Sequence, residues 1–246
     1  QTINKDNILA IRRNIDDELQ NYSNVKKDDK NNMLIPSFAI SNNMITQIGY
    51  TSYLTNPITK DKNGNDYAKP IKQLCYGNKG LEILKSPNLS KIDSIKTVVI
   101  TESIIDSISY AKIHKLDPNT TLLCGTNGQV TKAHKEVLEW INNKTKETQY
   151  ILGFDNDDKG IQYDRQIKQV IPQAQIKKSV FKDFNDDLIM AHKLKLDYPY
   201  GNKEVLQRIQ ELDKKATQLN KNIERMPKTD RDKHIEDMKN SDVMLY

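Results

Sequence analysis

Acidic residues follow three separate apolar segments of this chain, an arrangement that could bind divalent metal ions. The segments and their acids are "VVIT" with Glu102 and Asp106, "YILGF" with Asp155 and Asp157, and "QIKKSVF" with Asp183, Asp186 and Asp187. Carboxylates crowded into one crevice repel each other and raise each other's pKa unless a cation lies between them. Oxygen-only ligands select hard ions, and Mg²⁺ is usually held by one or two carboxylates together with waters and phosphate oxygens. Two such ions can stabilise the attacking and leaving oxygens of phosphoryl transfer, the chemistry that these residues favour.

The segments before the acids have the pattern of strands in a parallel sheet. From about residue 95, β-branched segments alternate four times with helical patterns, and the connections are short. The pairs are "TVVIT" with "ESIIDSISYAKIHK", "TTLLC" with "TKAHKEVLEWINNK", "YILGF" with "KGIQYDRQIKQVI", and "QIKKSVF" with "NDDLIMAHKLK". In such sheets the functional crevice lies at the carboxyl ends of the strands. We therefore expect the three groups of acids at one edge of the sheet.

Local spacing predicts how some of these side chains are oriented. Asp106 lies four residues after Glu102, one turn into the predicted helix and on the same face. Alternation in an extended loop would point Asp155 and Asp157 in a common direction, with Asn156 turned away.

The segments that flank the repeats predict a helix, a small antiparallel unit and a helical tail. Apolar residues recur every three or four positions between residue 1 and about 23, which favours one amphipathic helix. They are Ile8, Ile11, Ile15 and Leu19. Residues 33–85 contain short β-branched and aromatic segments, with Asn63-Gly64 as a hairpin turn signal.

The tail beyond residue 202 is charged and has a helical pattern that "MPKTDRD" interrupts. Its thin apolar stripe consists of Leu206, Ile209, Leu212, Leu219 and Ile223. A docking helix pair, a contact for another chain and a solvated extension all fit this pattern.

Composition limits the classes of protein to which the chain can belong. Of the 246 residues, 36% are hydrophobic and 29% charged, so we expect a cytoplasmic protein with no membrane segment. The start has no apolar signal core and lacks Met, which suggests a processed chain or a fragment. Cys75 and Cys124 form no CxxC pair, and the four histidines have no ligand spacing. The net charge of +5 suits a polyanionic partner, although a solvated lysine-rich surface would account for it equally well.

Three other motifs for metal or phosphate chemistry do not fit. An EF-hand loop that starts at Asp155 would have Lys159 and Gln166 at its fifth and twelfth positions, where Asp or Asn and then Glu are required. A P-loop in "GTNGQVTK" would have Val130 in place of its second glycine. A phospho-acceptor receiver domain would carry paired acids after its first strand, where this chain has the single Glu102.

The segments "VVITESIIDSIS", "GTNG", "ILGFDNDDKG" and "KDFNDDL" together resemble the Toprim domain, in the form found in DnaG-type primases and in plasmid or mobile-element proteins. The family pattern is a Glu after the first strand and Asp-x-Asp after the third, here Glu102, Asp155 and Asp157. An acid four residues after the Glu matches Asp106, and a late Lys-Asp motif matches Lys182-Asp183 and then Asp186. Gly125 and Thr126 resemble the glycine turn after the second strand. The resemblance covers about residues 95–195.

The resemblance implies an α/β fold with a Toprim-like parallel sheet covered by helices. It implies an N-terminal helix and small α+β subdomain at 1–92, the catalytic domain at 93–200 and a charged helical extension at 201–246. The activity would be nucleotidyl transfer with two Mg²⁺ or Mn²⁺ ions, for primer synthesis or related processing of mobile-element DNA during replication. A Toprim nuclease and a non-catalytic nucleic-acid-binding module of a larger relaxase or replication protein are the alternatives.

The resemblance also assigns roles to individual residues. Asp155 and Asp157 would bind metal, Glu102 would bind metal or act as general base, and Asp106, Asp183 and Asp186 would support a second ion directly or through water. Single-stranded DNA and NTPs would be the partners, with a further protein or domain at 201–246. Phosphate contacts are expected from Lys69, Lys72, Lys79, Lys159 and Lys182, and nucleotide contacts from Gly125 and Thr126.

Overall fold

The computed structural model describes residue 3, residues 6–224 and residue 237. The chain divides into two compact units, residues 1–193 and residues 194–246. No helix in the described part is long and apolar enough to cross a bilayer.

The first unit contains a mixed sheet and the helices that cover it. Its strands are β1 (Lys26–Lys27), β2 (Met33–Ser41), β3 (Met44–Lys60), β4 (Asp66–Gly77), β5 (Leu81–Leu84), β6 (Thr97–Thr101), β7 (Thr121–Gly125), β8 (Gln149–Leu152) and β9 (Gln175–Ile176). Its helices are α1 (Ile8–Arg12), α2 (Ile104–Ile113), α3 (Lys132–Lys144), α4 (Asp158–Lys168) and α5 (Phe184–Leu194), whose last residue falls in the second unit.

One continuous sheet joins the N-terminal strands to the predicted β-α repeats. The strand order is β4-β3-β2-β5-β7-β6-β8-β9, with β1 paired to β2. The four strands β7, β6, β8 and β9 are parallel, which confirms the predicted parallel sheet. Strand β5 is antiparallel to both β2 and β7 and therefore connects the two parts. The predicted boundary at residue 92 lies between strands that belong to this single sheet.

The parallel strands are apolar on both faces because helices cover both faces. Strand β6 has the sequence "TVVIT", and its last four residues are buried. Val98 and Ile100 belong to one core cluster together with Leu138 of α3 and Ile167 of α4. Val99 is also fully buried but points to the opposite face, where α2 packs against β6 and β7.

The predicted hairpin at Asn63-Gly64 is present between β3 and β4. Gly64 has φ +86°, and the amide of Asp61 donates to the carbonyl of Asn65. A second hairpin joins β2 to β3 through Asn42 and Asn43, which both have positive φ. Asparagine tolerates this conformation better than most residues, so the Asn-Asn pair was a turn signal that the sequence analysis did not use.

The prediction of one helix from residue 1 to about 23 was wrong. Helix α1 begins after the cap residue Asn7, whose side chain accepts from the Ala10 amide, and ends at Arg12. Asn14 then adopts φ +57°, which a right-handed helix cannot continue through, and a short 3₁₀ helix follows at Glu18–Asn21. The apolar residues consequently have different surroundings, with Ile8 and Ile11 exposed but Ile15 and Leu19 buried.

The second unit contains the predicted helical extension. Helix α6 spans Asn202–Glu224, and the Arg208 side chain donates to the Leu194 carbonyl at 2.9 Å. Four residues of the predicted apolar stripe are exposed: Leu206, Ile209, Leu212 and Leu219. The side chain of Ile223 and the "MPKTDRD" segment (226–232) lie outside the described residues.

Candidate metal centre at the carboxyl edge of the sheet

Three carboxylates from separate elements meet beyond the carboxyl ends of β6 and β8. Asp106 is in the first turn of α2, Asp155 follows β8, and Asp183 precedes α5. One ligand oxygen from each of the three lies within 4.8 Å of those from the other two. We call this set the acidic triad. Asp106 and Asp155 are buried and Asp183 is half-buried.

Burial and mutual repulsion disfavour ionisation of all three carboxyl groups of the triad at once. Burial raises the pKa of Asp106 well above its ordinary value, and the negative charges of Asp183 and Asp155 raise it further. The backbone amide of Asn185 donates to Asp106 Oδ1 at 3.0 Å, which lowers that pKa in part. Lys182 Nζ lies 3.0 Å from Asp155 Oδ2 but is largely exposed. Three closely spaced carboxylate oxygens with these counter-charges fit a hard divalent cation such as Mg²⁺ or Mn²⁺.

The glycine that ends "DNDDKG" allows helix α4 to approach Asp155 closely. A Cβ atom at Gly160 would lie 2.0 Å from the Asp155 carbonyl oxygen, a distance that no side chain could tolerate. The position therefore requires glycine, and this contact fixes the backbone of Asp155 against the first turn of α4.

A half-buried ion pair formed by later residues also holds the backbone at Asp155. Lys178 Nζ lies 2.8 Å from Asp164 Oδ2 of α4 and donates to the carbonyls of Phe154 and Asp155 at 3.3 Å. The Asp164 side chain is only 3% exposed. The two members of this pair are 14 residues apart and belong to no motif, so the sequence alone carries no signal for it.

Glu102 lies near the triad but outside it. Its Oε1 is 2.9 Å from Lys159 Nζ, which also donates to the Gly128 carbonyl at 3.0 Å. The hydroxyl of Tyr163 donates to the same carbonyl at 2.8 Å. Glu102 is thus tied to the "GTNG" turn and to α4 through Lys159.

Asp157 and Asp186 also lie outside the triad. Asp157 is the N-cap of α4, and its Oδ1 accepts from the Gly160 amide at 2.9 Å. It is exposed, because the chain turns into α4 at this point and the alternation of an extended loop no longer applies. Asp186 donates its amide to Asp183 Oδ1 at 2.8 Å from the first turn of α5. Asp187 is buried and accepts from the amides of Val180 and Phe181, which is a structural role.

A cavity of about 360 Å³ opens onto the triad and contains groups of both signs. Its charged lining consists of Glu102, Asp106, Asp155, Asp183, Arg13, Lys72 and Lys182. Its uncharged polar lining includes Tyr53, Gln73, Asn127 and Asn185. Phosphate groups could therefore contact the cations while a metal ion occupies the acidic side.

The remaining predicted binding residues lie around this cavity without lining it. Lys69 is exposed on β4, Lys79 follows β4 and is half-buried, and Gly125 ends β7. Thr126 is buried, and its amide donates to the Thr101 carbonyl at 3.0 Å. In the "GTNG" turn the residues that line the cavity are Asn127 and Gly128 instead.

Sequence reasoning missed several lining residues for two different reasons. Asn127 and Asn185 lie inside the "GTNG" and "KDFNDDL" motifs, where their polar amide side chains were an available signal. Arg13 directly follows α1, and Tyr53 and Gln73 come from the β3–β4 hairpin. No local signal links them to the acids.

Comparison with known proteins identifies the part of the chain that carries the triad. Residues 99–188 match the family model described as Toprim-like. This segment is similar to the Toprim-like family, and the resemblance predicted from the four motifs is confirmed.

Two solved structures resemble the chain more distantly. The primase fragment of the bacteriophage T7 primase-helicase protein is 17% identical, with a TM-score of 0.43 over 79% of this chain and 70% of that chain. A chain from the complex of the bacteriophage T7 lagging-strand DNA polymerase with primase domains, an RNA/DNA hybrid and dTTP is also 17% identical. Its TM-score is 0.35 over 72% of this chain and 82% of that chain. No curated protein matches the chain at a significant level.

Proposed function

We propose that this protein catalyses metal-dependent nucleotidyl transfer on DNA, as primer synthesis or a related step in processing a mobile element. The observation that carries the proposal is the acidic triad, whose oxygens lie within 4.8 Å in a cavity that also contains Arg13 and Lys72. A Toprim-like domain with such a cluster supports a nucleic-acid-processing enzyme. Nucleotidyl transfer depends mainly on positioning and charge neutralisation, so acids and lysines without a protein nucleophile are sufficient.

The triad would hold Mg²⁺ or Mn²⁺, which supplies Lewis-acid stabilisation of phosphate charge when bound. Asp157 and Asp186 lie outside the triad and would not bind the same ion directly. They would contribute to a second ion through water. Glu102, held at the cavity edge by Lys159, would bind metal or take the proton of the attacking hydroxyl.

Cations at the cavity would orient the nucleotide and the nucleic-acid strand. Lys72 and Arg13 line the cavity and would contact phosphates, while Lys182, 3.0 Å from Asp155 Oδ2, would balance part of the negative charge of the triad. Lys69 on the exposed side of β4 and Lys79 just after this strand would extend the contact. Single-stranded DNA and NTPs would be the substrates, in the cytoplasm, and a partner protein or further domain at 201–246 stays a prediction.

The test is incorporation of labelled NTPs on single-stranded DNA with Mg²⁺ or Mn²⁺. We expect template-dependent products from wild type and from Asp158→Asn, which removes an exposed charge in the first turn of α4 outside the triad. Asp155→Asn should abolish them.

Two other outcomes would contradict nucleotidyl transfer. Metal-dependent DNA cleavage without NTPs, lost in Asp155→Asn, would make the protein a Toprim nuclease. Equal DNA binding by wild type and Asp155→Asn, with neither synthesis nor cleavage, would make it a binding module.

A further inference from the structure

Another buried carboxylate lies beside the cavity and has no part in the proposed chemistry. Glu82 of β5 is fully buried, and its Oε2 accepts from the Tyr53 hydroxyl at 2.8 Å. Its Oε1 accepts from Asn127 Nδ2 at 3.1 Å. Each carboxylate oxygen of Glu82 therefore meets a side-chain donor, as an ionised carboxylate requires.

The charge of Glu82 determines which way the Asn127 amide points. A carboxylate only accepts hydrogen bonds, so Asn127 must direct its NH₂ group and not its oxygen toward Glu82. The same NH₂ group donates to Thr51 Oγ1 at 2.7 Å, which fixes the orientation further. The Asn127 amide oxygen is consequently left to face β4.

The orientation of Asn127 in turn determines that of Gln73. Gln73 Nε2 donates to Asn127 Oδ1, so the Gln73 amide oxygen is on the other side of the group. Gln73 lines the cavity, and no hydrogen bond within residues 6–224 engages its Oε1. Gln73 Oε1 is therefore a hydrogen-bond acceptor of defined orientation that faces the occupant of the cavity.

We propose that Glu82, Asn127 and Gln73 form a hydrogen-bond relay that selects nucleotides carrying a donor group, a sugar hydroxyl or a base amino group, at the Gln73 oxygen. Glu82 and Asn127 are positioning residues, and Gln73 is the residue that contacts the nucleotide. The inference rests on the proposed function, because it takes the occupant of the cavity to be a nucleotide. A site built around a buried acceptor discriminates against an analogue that lacks the matching donor.

The test compares dissociation constants by calorimetry with Mg²⁺ and without DNA, at about pH 8.5, where the Glu82 carboxyl is ionised. ATP against dATP tests a sugar hydroxyl, and GTP against ITP tests a base amino group. We expect wild type to prefer the donor-bearing member of one pair by about fivefold to tenfold, the value of one neutral hydrogen bond. Gln73→Leu keeps the volume of the side chain and should bring that ratio close to one.

Two further variants distinguish a loss of amide orientation from a general loosening of the hydrogen-bond network. Glu82→Gln can offer an oxygen or an NH₂ group to Asn127, so both amides can flip and the ratio should fall. Cys75→Ala removes the 3.4 Å contact between Asn127 Nδ2 and Cys75 Sγ but leaves Glu82 and its charge, so the ratio should persist. If Glu82→Gln fails to fold by circular dichroism, Asn127→Gly replaces it, because glycine accepts the φ of +52° at that position.

The remaining outcomes overturn the inference in distinguishable ways. Equal binding of both members of each pair by wild type, or a preference that survives in Gln73→Leu, refutes the relay and leaves the proposed function intact. A preference lost equally in Cys75→Ala shows loosening of the network instead of orientation, which also refutes it. Failure of wild type to bind any nucleotide refutes the proposed function, and the relay with it.

Discussion

Replacing Asp183 by Asn should stabilise the metal-free protein and remove most of its response to Mg²⁺. Two ionised groups 4.8 Å apart repel by about 3.5 kcal/mol at an effective dielectric constant of 20. Proton uptake by Asp106, whose pKa is raised, and the charge of Lys182 already relieve part of this repulsion. We therefore expect a gain of about 1–2 kcal/mol in the free energy of unfolding without metal.

The substitution preserves the local hydrogen bond that Asp183 makes. Its Oδ1 accepts from the Asp186 amide at 2.8 Å, and an asparagine oxygen can accept the same bond. Any change in stability therefore reflects the loss of charge and not the loss of this contact at the start of α5.

The assay is thermal and denaturant unfolding with and without MgCl₂ at constant ionic strength. Wild type should gain about 2.7 kcal/mol at a hundred times the dissociation constant, since only the folded state gathers the three ligands. Asp183→Asn should gain much less because one carboxylate is gone. Asp158→Asn removes an equal charge outside the triad and should respond to Mg²⁺ like wild type.

The opposite pattern would refute the reasoning. If Asp183→Asn is less stable than wild type without metal and responds equally to Mg²⁺, the triad is a structural cluster. The proposed metal site would then be wrong, whatever activity the protein has.

Three further predictions concern other parts of the same unit. Lys178→Met should lower the free energy of unfolding by about 2–3 kcal/mol in urea titrations, because it leaves the buried Asp164 carboxyl without its partner. A loss below about 1 kcal/mol would show that the pair is solvated. Burial raises the pKa of Glu82 from 4.5 to about 7, so the folded state binds this proton more tightly than the unfolded state. The protonated carboxyl therefore adds stability below pH 4.5, and this contribution is lost as the pH rises to about 7. Relative to Glu82→Gln, wild type should lose about 3 kcal/mol across that interval, and parallel pH curves for the two proteins would contradict the assignment. Replacing Lys69 and Lys72 together should flatten the salt dependence of single-stranded DNA binding, because fewer lysine–phosphate contacts release fewer counterions. An unchanged slope would exclude β4 from the binding surface.

Much of the fold was predictable because its signals are local. The alternation of "TVVIT"-like segments with helical patterns predicted the parallel strands, since period and strand length are properties of short segments. Gly64 marked a hairpin because a turn with positive φ favours glycine. The acids at three strand ends were expected to meet because parallel strands present their carboxyl ends at one edge.

The helix predicted over residues 1–23 failed for a physical reason that the pattern could not show. Ile8, Ile11, Ile15 and Leu19 have helical spacing, but Asn14 takes a left-handed conformation that ends α1. Burial of Ile15 and Leu19 against the rest of the unit favours this break, and spacing alone carries no information about such contacts.

The composition of the candidate site depended on tertiary structure. Sequence spacing grouped Asp155 with Asp157, whereas the fold brings Asp155 to Asp106 and Asp183 and leaves Asp157 as a helix cap. The reason is that "DNDDKG" bends into α4, where Gly160 allows a backbone approach that directs only the first aspartate inward.

Tertiary structure also brought the β3–β4 hairpin to the same cavity as the acids. Strand β5 places Glu82 opposite Gly125 of β7 and beside the β3–β4 hairpin, so residues 29 and 45 positions away share hydrogen bonds with it. The amino-acid sequence determined which side chains could bind metal or phosphate. Only the pairing of distant strands determined that Tyr53, Gln73 and Asn127 face the acids, because that proximity comes from sheet order and not from any local pattern.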